Sequence, residues 1–175
     1  IIKMILRKIY KLVIGDKVPC ISQYPFVSDS GIIVTHISAY GNGNMGDIYL
    51  PIALRNLFNL QIGVKKWINK SVYKKVTLSD ISVYNRSDLV VIGGGGLFLK
   101  DTNPNDLSGW QWSCSLDMLD KIESPLIAFA IGYNRFRGQD DFDPIFTEHI
   151  NKFVEKASFV GLRNHGSIEN VKRYL

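Results

Sequence analysis

DLVVIGGGGL, residues 88–97, decides how the rest of the chain is read. Leu89, Val90, Val91 and Ile92 form a short continuous apolar run, the mark of a strand buried on both faces. Four glycines, Gly93, Gly94, Gly95 and Gly96, follow it. Without side chains, their N–H groups can approach a ligand or a neighbouring backbone closely. Dense packing of strand on helix is the competing reading of the same run.

The grammar repeats on either side. IIVTHI (32–37) leads into GNGNMGD (41–47), PLIAFAIG (125–132) into YNR, and ASFVGL (157–162) into RNHGS. Helical spacing fills the intervals. One stretch opens at Asp47, with Pro51 fitting only its first turn. Others run over about 112–122, about 144–156 and onward from about 166. Strands alternating with helices predict an α/β fold with a mostly parallel sheet covered on both faces. Right-handed crossovers make this domain Rossmann-like and doubly wound. Ligands of such sheets bind beyond the carboxyl ends of the strands. Each unusual stretch falls on that edge, which points to a site more strongly than any one loop.

The 175 residues suffice for one domain with a substantial core. Apolar residues make up 46% and charged residues 21%, as in a soluble globular protein. The net charge of +5 suits an anionic substrate or surface, but no basic run exceeds two residues, which argues against nucleic acid. Cys20 and Cys114 stand far apart, outside metal spacing, so neither a zinc site nor a disulfide scaffold is expected. Such cysteine usage fits a reducing cytoplasm. The chain begins at Ile1, and a longer protein is expected around it. Residues 1–29 are read as an arm and 30–175 as the Rossmann-like domain. In IIKMILRKIYKLVIG, Lys3, Arg7, Lys8 and Lys11 interrupt the apolar run, so neither a signal peptide nor a spanning helix of ~20 apolar residues fits. A short amphipathic helix is expected, either packed on the body or in peripheral contact with a membrane.

GNGNMG fits G-x-G-x-x-G, the loop that cradles a dinucleotide pyrophosphate. Two features weaken that reading. No Asp or Glu lies between Asp47 and Asp80 to grip a ribose, although Lys65 and Lys66 offer partners for an NADP 2′-phosphate. Asp47, at or beside the helix N-cap, accepts the orphan N–H bonds and neutralises the anion site. The loop then reads as a tight turn locked by Asp47, whose carboxylate also suits a hydroxyl-bearing ligand.

Taken together, these pieces resemble the polysaccharide pyruvyl transferase family. Gly41–Asp47, with Asn44 and Gly46, resembles its G-x-x-N-x-G-D loop. Asp88–Leu97, with Asp101 after it, resembles D-L-x-I-x-G-G-G-x-L followed by Asp. PLIAFAIGYN matches its third strand, and FVGLRNHGS resembles V-R-D-x-x-S, with Arg163 and Ser167 in place. The likeness covers 31–175. Two positions depart: the third strand ends Ala130-Ile131-Gly132-Tyr133 where G-x-G-P is usual, and Asn164 stands where Asp is usual.

The resemblance implies the first half of a two-domain enzyme similar to GT-B glycosyltransferases, inactive without its second domain. Such enzymes move pyruvate from phosphoenolpyruvate onto a sugar hydroxyl pair as a ketal. The donor is a substrate; no cofactor or metal is implied. Most donor-binding residues are expected in the second domain. The acceptor would be a cell-surface polysaccharide or its lipid-linked precursor, built in the cytoplasm at the inner face of the membrane. Ketal formation needs a base, for which Asp47 is the candidate, and cations for phosphate, for which Arg135, Arg137 and Arg163 lie beside the cleft. Substrate contacts are expected from Asn44, Gly46, Gly94, Gly95, Gly96, Tyr133, Asn134, Arg135, Arg163 and His165. Trp110 and Trp112 in GWQW suit stacking on a saccharide, with burial in the core as the alternative. His36 is read as a satisfied core residue and His149 as a surface one. Two alternative functions remain: a GT-B glycosyltransferase using a nucleotide-sugar, and an NADP-binding Rossmann module.

Overall fold

A computed structural model describes residues 30–39 and 45–175. The amphipathic helix expected within 1–29, the turn at 41–44 and the site residue Asn44 lie outside the described residues. Five strands form one sheet: β1 (Ile32–Ser38), β2 (Val64–Ser71), β3 (Leu89–Phe98), β4 (Leu126–Tyr133) and β5 (Phe159–Leu162). Their order is β2-β1-β3-β4-β5 and every pairing is parallel. Between them run α1 (Met45–Ile62), α2 (Leu78–Tyr84), α3 (Leu116–Asp120) and α4 (Pro144–Lys156), and α5 (His165–Val171) follows β5. The expected doubly wound, Rossmann-like architecture is therefore present.

Alternation along the strands divides the core into two layers. On one face, Leu54 and Phe58 of α1 pack over Val34, Val64 and Val91. On the other, Ile81, Leu119, Phe146, Ile150 and Phe153 from α2, α3 and α4 cover Val90, Ile92, Leu126 and Ala128. Trp110 and Trp112 belong to that second layer and are fully buried, edge-on to each other and to Phe153. Neither can stack on a saccharide, which corrects the expectation for both. His149 is also buried, not at the surface. Its Nδ1 accepts the indole N–H of Trp110 at 3.1 Å.

Four further differences have local causes. First, β2 and α2 were not anticipated. The edge strand VKKWINKS mixes lysines with apolar residues, and α2 is only seven residues long, fixed by a capping box between Thr77 and Asp80. Second, the helix expected over 112–122 shrinks to 116–120. Residues before it are held extended by bonds such as Gln111 N–H to Leu97 O (3.3 Å) and Ser113 N–H to Val72 O (3.4 Å). Third, Pro51 lies well inside α1 rather than in its first turn. Fourth, the glycines do not begin a loop: β3 runs straight through them. Both registers shift beside Ile131, and Ala130 there adopts φ +55°.

Candidate functional site

Between β1 and β3 the chain reverses its direction of travel across the sheet, having gone out to β2 and back. Sheets of this order bind ligands at that switch point, beyond the carboxyl ends. Helix α1 leaves β1 there and lies against the glycines of β3. Its spacing of four brings Asp47, Pro51 and Arg55 onto one face. Each meets a different glycine. A Cβ on Gly95 would stand 3.9 Å from Asp47 Oδ1, and one on Gly94 would stand 3.0 Å from the Pro51 nitrogen. Arg55 reaches Gly93 through a third residue: Arg55 Nε donates to His36 Nδ1 (3.0 Å), and His36 Nε2 meets the Gly93 carbonyl (3.2 Å). Gly93 has φ +155°, and a Cβ there would lie 1.8 Å from the Phe129 carbonyl oxygen.

The glycines therefore serve close approach to neighbouring elements. Gly94 is buried against Pro51, so helix backbone occupies the side where a ligand was expected. Gly95 and Gly96 face functional side chains. Asn134, just past β4, lies across Gly96, where a Cβ would be 1.9 Å from its amide nitrogen. Arg163, just past β5, lies across Gly132 and donates from Nη2 to Asn134 Oδ1 at 3.2 Å. The row Asp47, Gly95, Gly96, Asn134 and Arg163 thus crosses the carboxyl edge from β1 to β5.

A second network supports its far end. Asn164 Oδ1 accepts from the Ser167 backbone N–H (2.8 Å) and hydroxyl (2.9 Å), capping α5. The Ser167 hydroxyl in turn accepts from the Tyr133 N–H at 3.0 Å, tying α5 to the end of β4. Asn164 does the capping work of an aspartate without its charge. Tyr133 is occupied structurally, its hydroxyl 3.3 Å from that of Tyr174 and its ring against Phe142.

The remaining expected residues lie outside this row. Arg135 pairs with Asp141 at 3.2 Å, Arg137 is exposed, and His165 is exposed at the start of α5, 3.9 Å from Glu169. Gly46 stands beside Asp47 in the first turn of α1, both half-buried. Lys65 and Lys66 lie at the amino end of β2, the opposite end of the sheet from the loop they would have to assist. That removes their support for an NADP phosphate.

Sequence reasoning missed Arg55 altogether. It is 1% exposed, lies 5.0 Å from the Trp67 ring centroid and donates to Asn69 as well as to His36. The signal was present in the spacing 47, 51, 55 on an apolar helix face. His36 is the satisfied core residue expected. Burial, with the Arg55 guanidinium beside it, lowers its pKa to about 3.

Comparison with known proteins gives one result. A family model described as polysaccharide pyruvyl transferase matches residues 30–175. No curated protein and no solved structure matches the chain.

Proposed function

Because the chain belongs to the polysaccharide pyruvyl transferase family, we propose that it supplies the acceptor half of an enzyme that ketalises a sugar with pyruvate from phosphoenolpyruvate. One sugar hydroxyl adds to the enol carbon, and the alkene carbon takes up a proton. The second hydroxyl then displaces phosphate. The products are a pyruvate ketal and inorganic phosphate. In this reading Asp47 removes a proton from an acceptor hydroxyl bound beside it at the carboxyl edge. Arg163, oriented by Asn134, offers a positive charge to the carboxylate or phosphate of the donor. The acceptor is a cell-surface polysaccharide or its lipid-linked precursor, and a second domain closes over the donor.

The observation that carries this reading is the placement of Asp47 at the switch point, facing a glycine. A half-buried carboxylate at that edge can do more than cap a helix. The test is phosphate release from phosphoenolpyruvate by the full-length protein with acceptor present. Asp47→Asn should lower kcat by about 10²–10⁴, while its melting temperature reflects no more than the ~1 kcal/mol of a lost cap. A mutant that melts lower but keeps its turnover would make Asp47 structural only. UDP or GDP release from a nucleotide-sugar would favour the glycosyltransferase reading instead.

A further inference from the structure

We infer that the amino end of the sheet is a docking surface for an anionic lipid bilayer. Two groups of residues meet there. Helix α1 runs opposite to the strands, so its last turns reach that end and project Leu57, Leu60 and Ile62, which are 42%, 82% and 51% exposed. Gly63 then turns the chain into β2, where Lys65 and Lys66 are exposed. Ile32 pairs with Val64 and Ile33 with Lys66, so Lys65 is the extra residue of a bulge on the sheet edge. Lastly, the Gly63 carbonyl accepts from Ile32 N–H at 3.3 Å, and a Cβ on Gly31 would lie 2.5 Å from the same oxygen.

Charge complementarity selects the partner. Lys65 and Lys66 make no ion pair among the described residues. No acidic residue occurs from Ile48 to Ser79. Asp88, at the same end of β3, is bound to the Ile33 N–H at 2.8 Å. Apolar tips beside unpaired lysines suit an anionic headgroup layer over acyl chains. A protein interface core is instead depleted in lysine. Among the described residues no helix is long and apolar enough to cross a membrane, so the contact lies on the surface. The carboxyl edge with the candidate site stands one strand length away, about 25 Å. It would face away from the bilayer, open to a saccharide.

The test does not depend on the transferase reading. The full chain is sedimented with vesicles of equimolar phosphatidylglycerol and phosphatidylcholine, and with vesicles of phosphatidylcholine alone. Binding to the first and not the second is expected, weakening as salt rises. Each lysine near such a surface is worth about fivefold in partitioning. The double variant Lys65→Glu with Lys66→Glu should therefore bind at least about 25-fold more weakly. Leu60→Ser should weaken binding with the lysines intact. Circular dichroism verifies folding, and Lys65→Gln with Lys66→Gln serves if the charge reversal unfolds the chain. Absence of binding to anionic vesicles overturns the proposal. So does unchanged binding in these variants, which would leave the lysines as guards against edge-to-edge pairing.

Discussion

Arg55 and His36 meet inside the protein, guanidinium Nε donating to imidazole Nδ1 at 3.0 Å, both essentially without solvent contact. Because Nδ1 accepts, Nε2 carries the proton and donates to the Gly93 carbonyl. A second proton on the ring would set an N–H against the guanidinium in a buried space. The pair therefore holds His36 neutral and fixes the first glycine of β3 relative to the helix that carries Asp47. His149 is held neutral in a comparable way, accepting from Trp110, with burial lowering its pKa to about 4.

These two histidines predict an acid-labile fold. Both folded-state values lie below the ordinary 6.5, so their contribution is complete above that pH and is lost as pH falls toward 4. In that window the unfolded chain binds two protons that the folded one refuses. Each costs about 1.4 kcal/mol per pH unit. Urea denaturation should show stability lower by about 2–3 kcal/mol at pH 5.5 than at pH 7. That interval lies above the ordinary carboxylate range. Equal stability at the two pH values would mean that neither histidine is held neutral.

Ala130 predicts a gain of stability. It is the only non-glycine residue with positive φ among those described, +55°, where the strand registers shift beside Ile131. The left-handed conformation costs a residue with a Cβ about 1–2 kcal/mol. Glycine relieves that cost and returns part of it as unfolded-chain entropy. Ala130→Gly should raise stability by about 0.5–1 kcal/mol, read as a higher melting temperature. A lower melting temperature would show that the methyl group packs well enough to repay its strain.

Gly93 and Gly96 should separate packing from function. Alanine at 93 would place Cβ 1.8 Å from the Phe129 carbonyl, a backbone atom in the sheet, and no folded protein is expected. Alanine at 96 would meet only the Asn134 side chain, at 1.9 Å, which can swing away. Doing so breaks the Arg163–Asn134 bond. Gly96→Ala should stay within ~1 kcal/mol of wild-type stability, because surface rearrangements cost little. KM should rise in the full-length enzyme. A Gly96→Ala enzyme with unchanged kinetics would remove Asn134 and Arg163 from the site.

Much of this was legible in the sequence. β1 and β3 are largely buried along their length, and β4 and the edge strand β5, though only partly buried, still carry unbroken apolar runs, so composition reveals all four. β2 escaped because its lysines break the apolar run, and VKKWINKS shows no clean period. The carboxyl edge was legible from topology alone, and with it the neighbourhood of Asp47, Gly95, Asn134 and Arg163. The depth of each side chain was not. Trp110 and Trp112 are chemically equal to ring-stacking residues, and only α4 folding over them decides that they pack against His149 and Phe153. Arg55 was hidden for the opposite reason: a buried arginine is rare, and its partner His36 is distant in sequence.

The last prediction returns to GNGNMGD: the chain should not bind NADPH. A pyrophosphate on this loop would sit at the start of α1, where Asp47 occupies the first turn with its carboxylate toward Gly95. Two like charges ~4 Å apart at an effective dielectric near 20 repel by ~4 kcal/mol, nearly a thousandfold in affinity. Asp47 is half-buried, so screening makes that an upper value. No compensation comes from Lys65 or Lys66, because β2 runs parallel to β1 and carries them to the far end of the sheet. The next acid in sequence, Asp80, cannot grip a ribose either: it is held by Lys70 at 2.6 Å and by the Thr77 cap. NADPH fluorescence titrated against the chain should show no saturable change at micromolar concentrations. Saturation in the low micromolar range, abolished by Gly43→Val, would mean that the loop cradles a dinucleotide after all and that the carboxylate turns away from it.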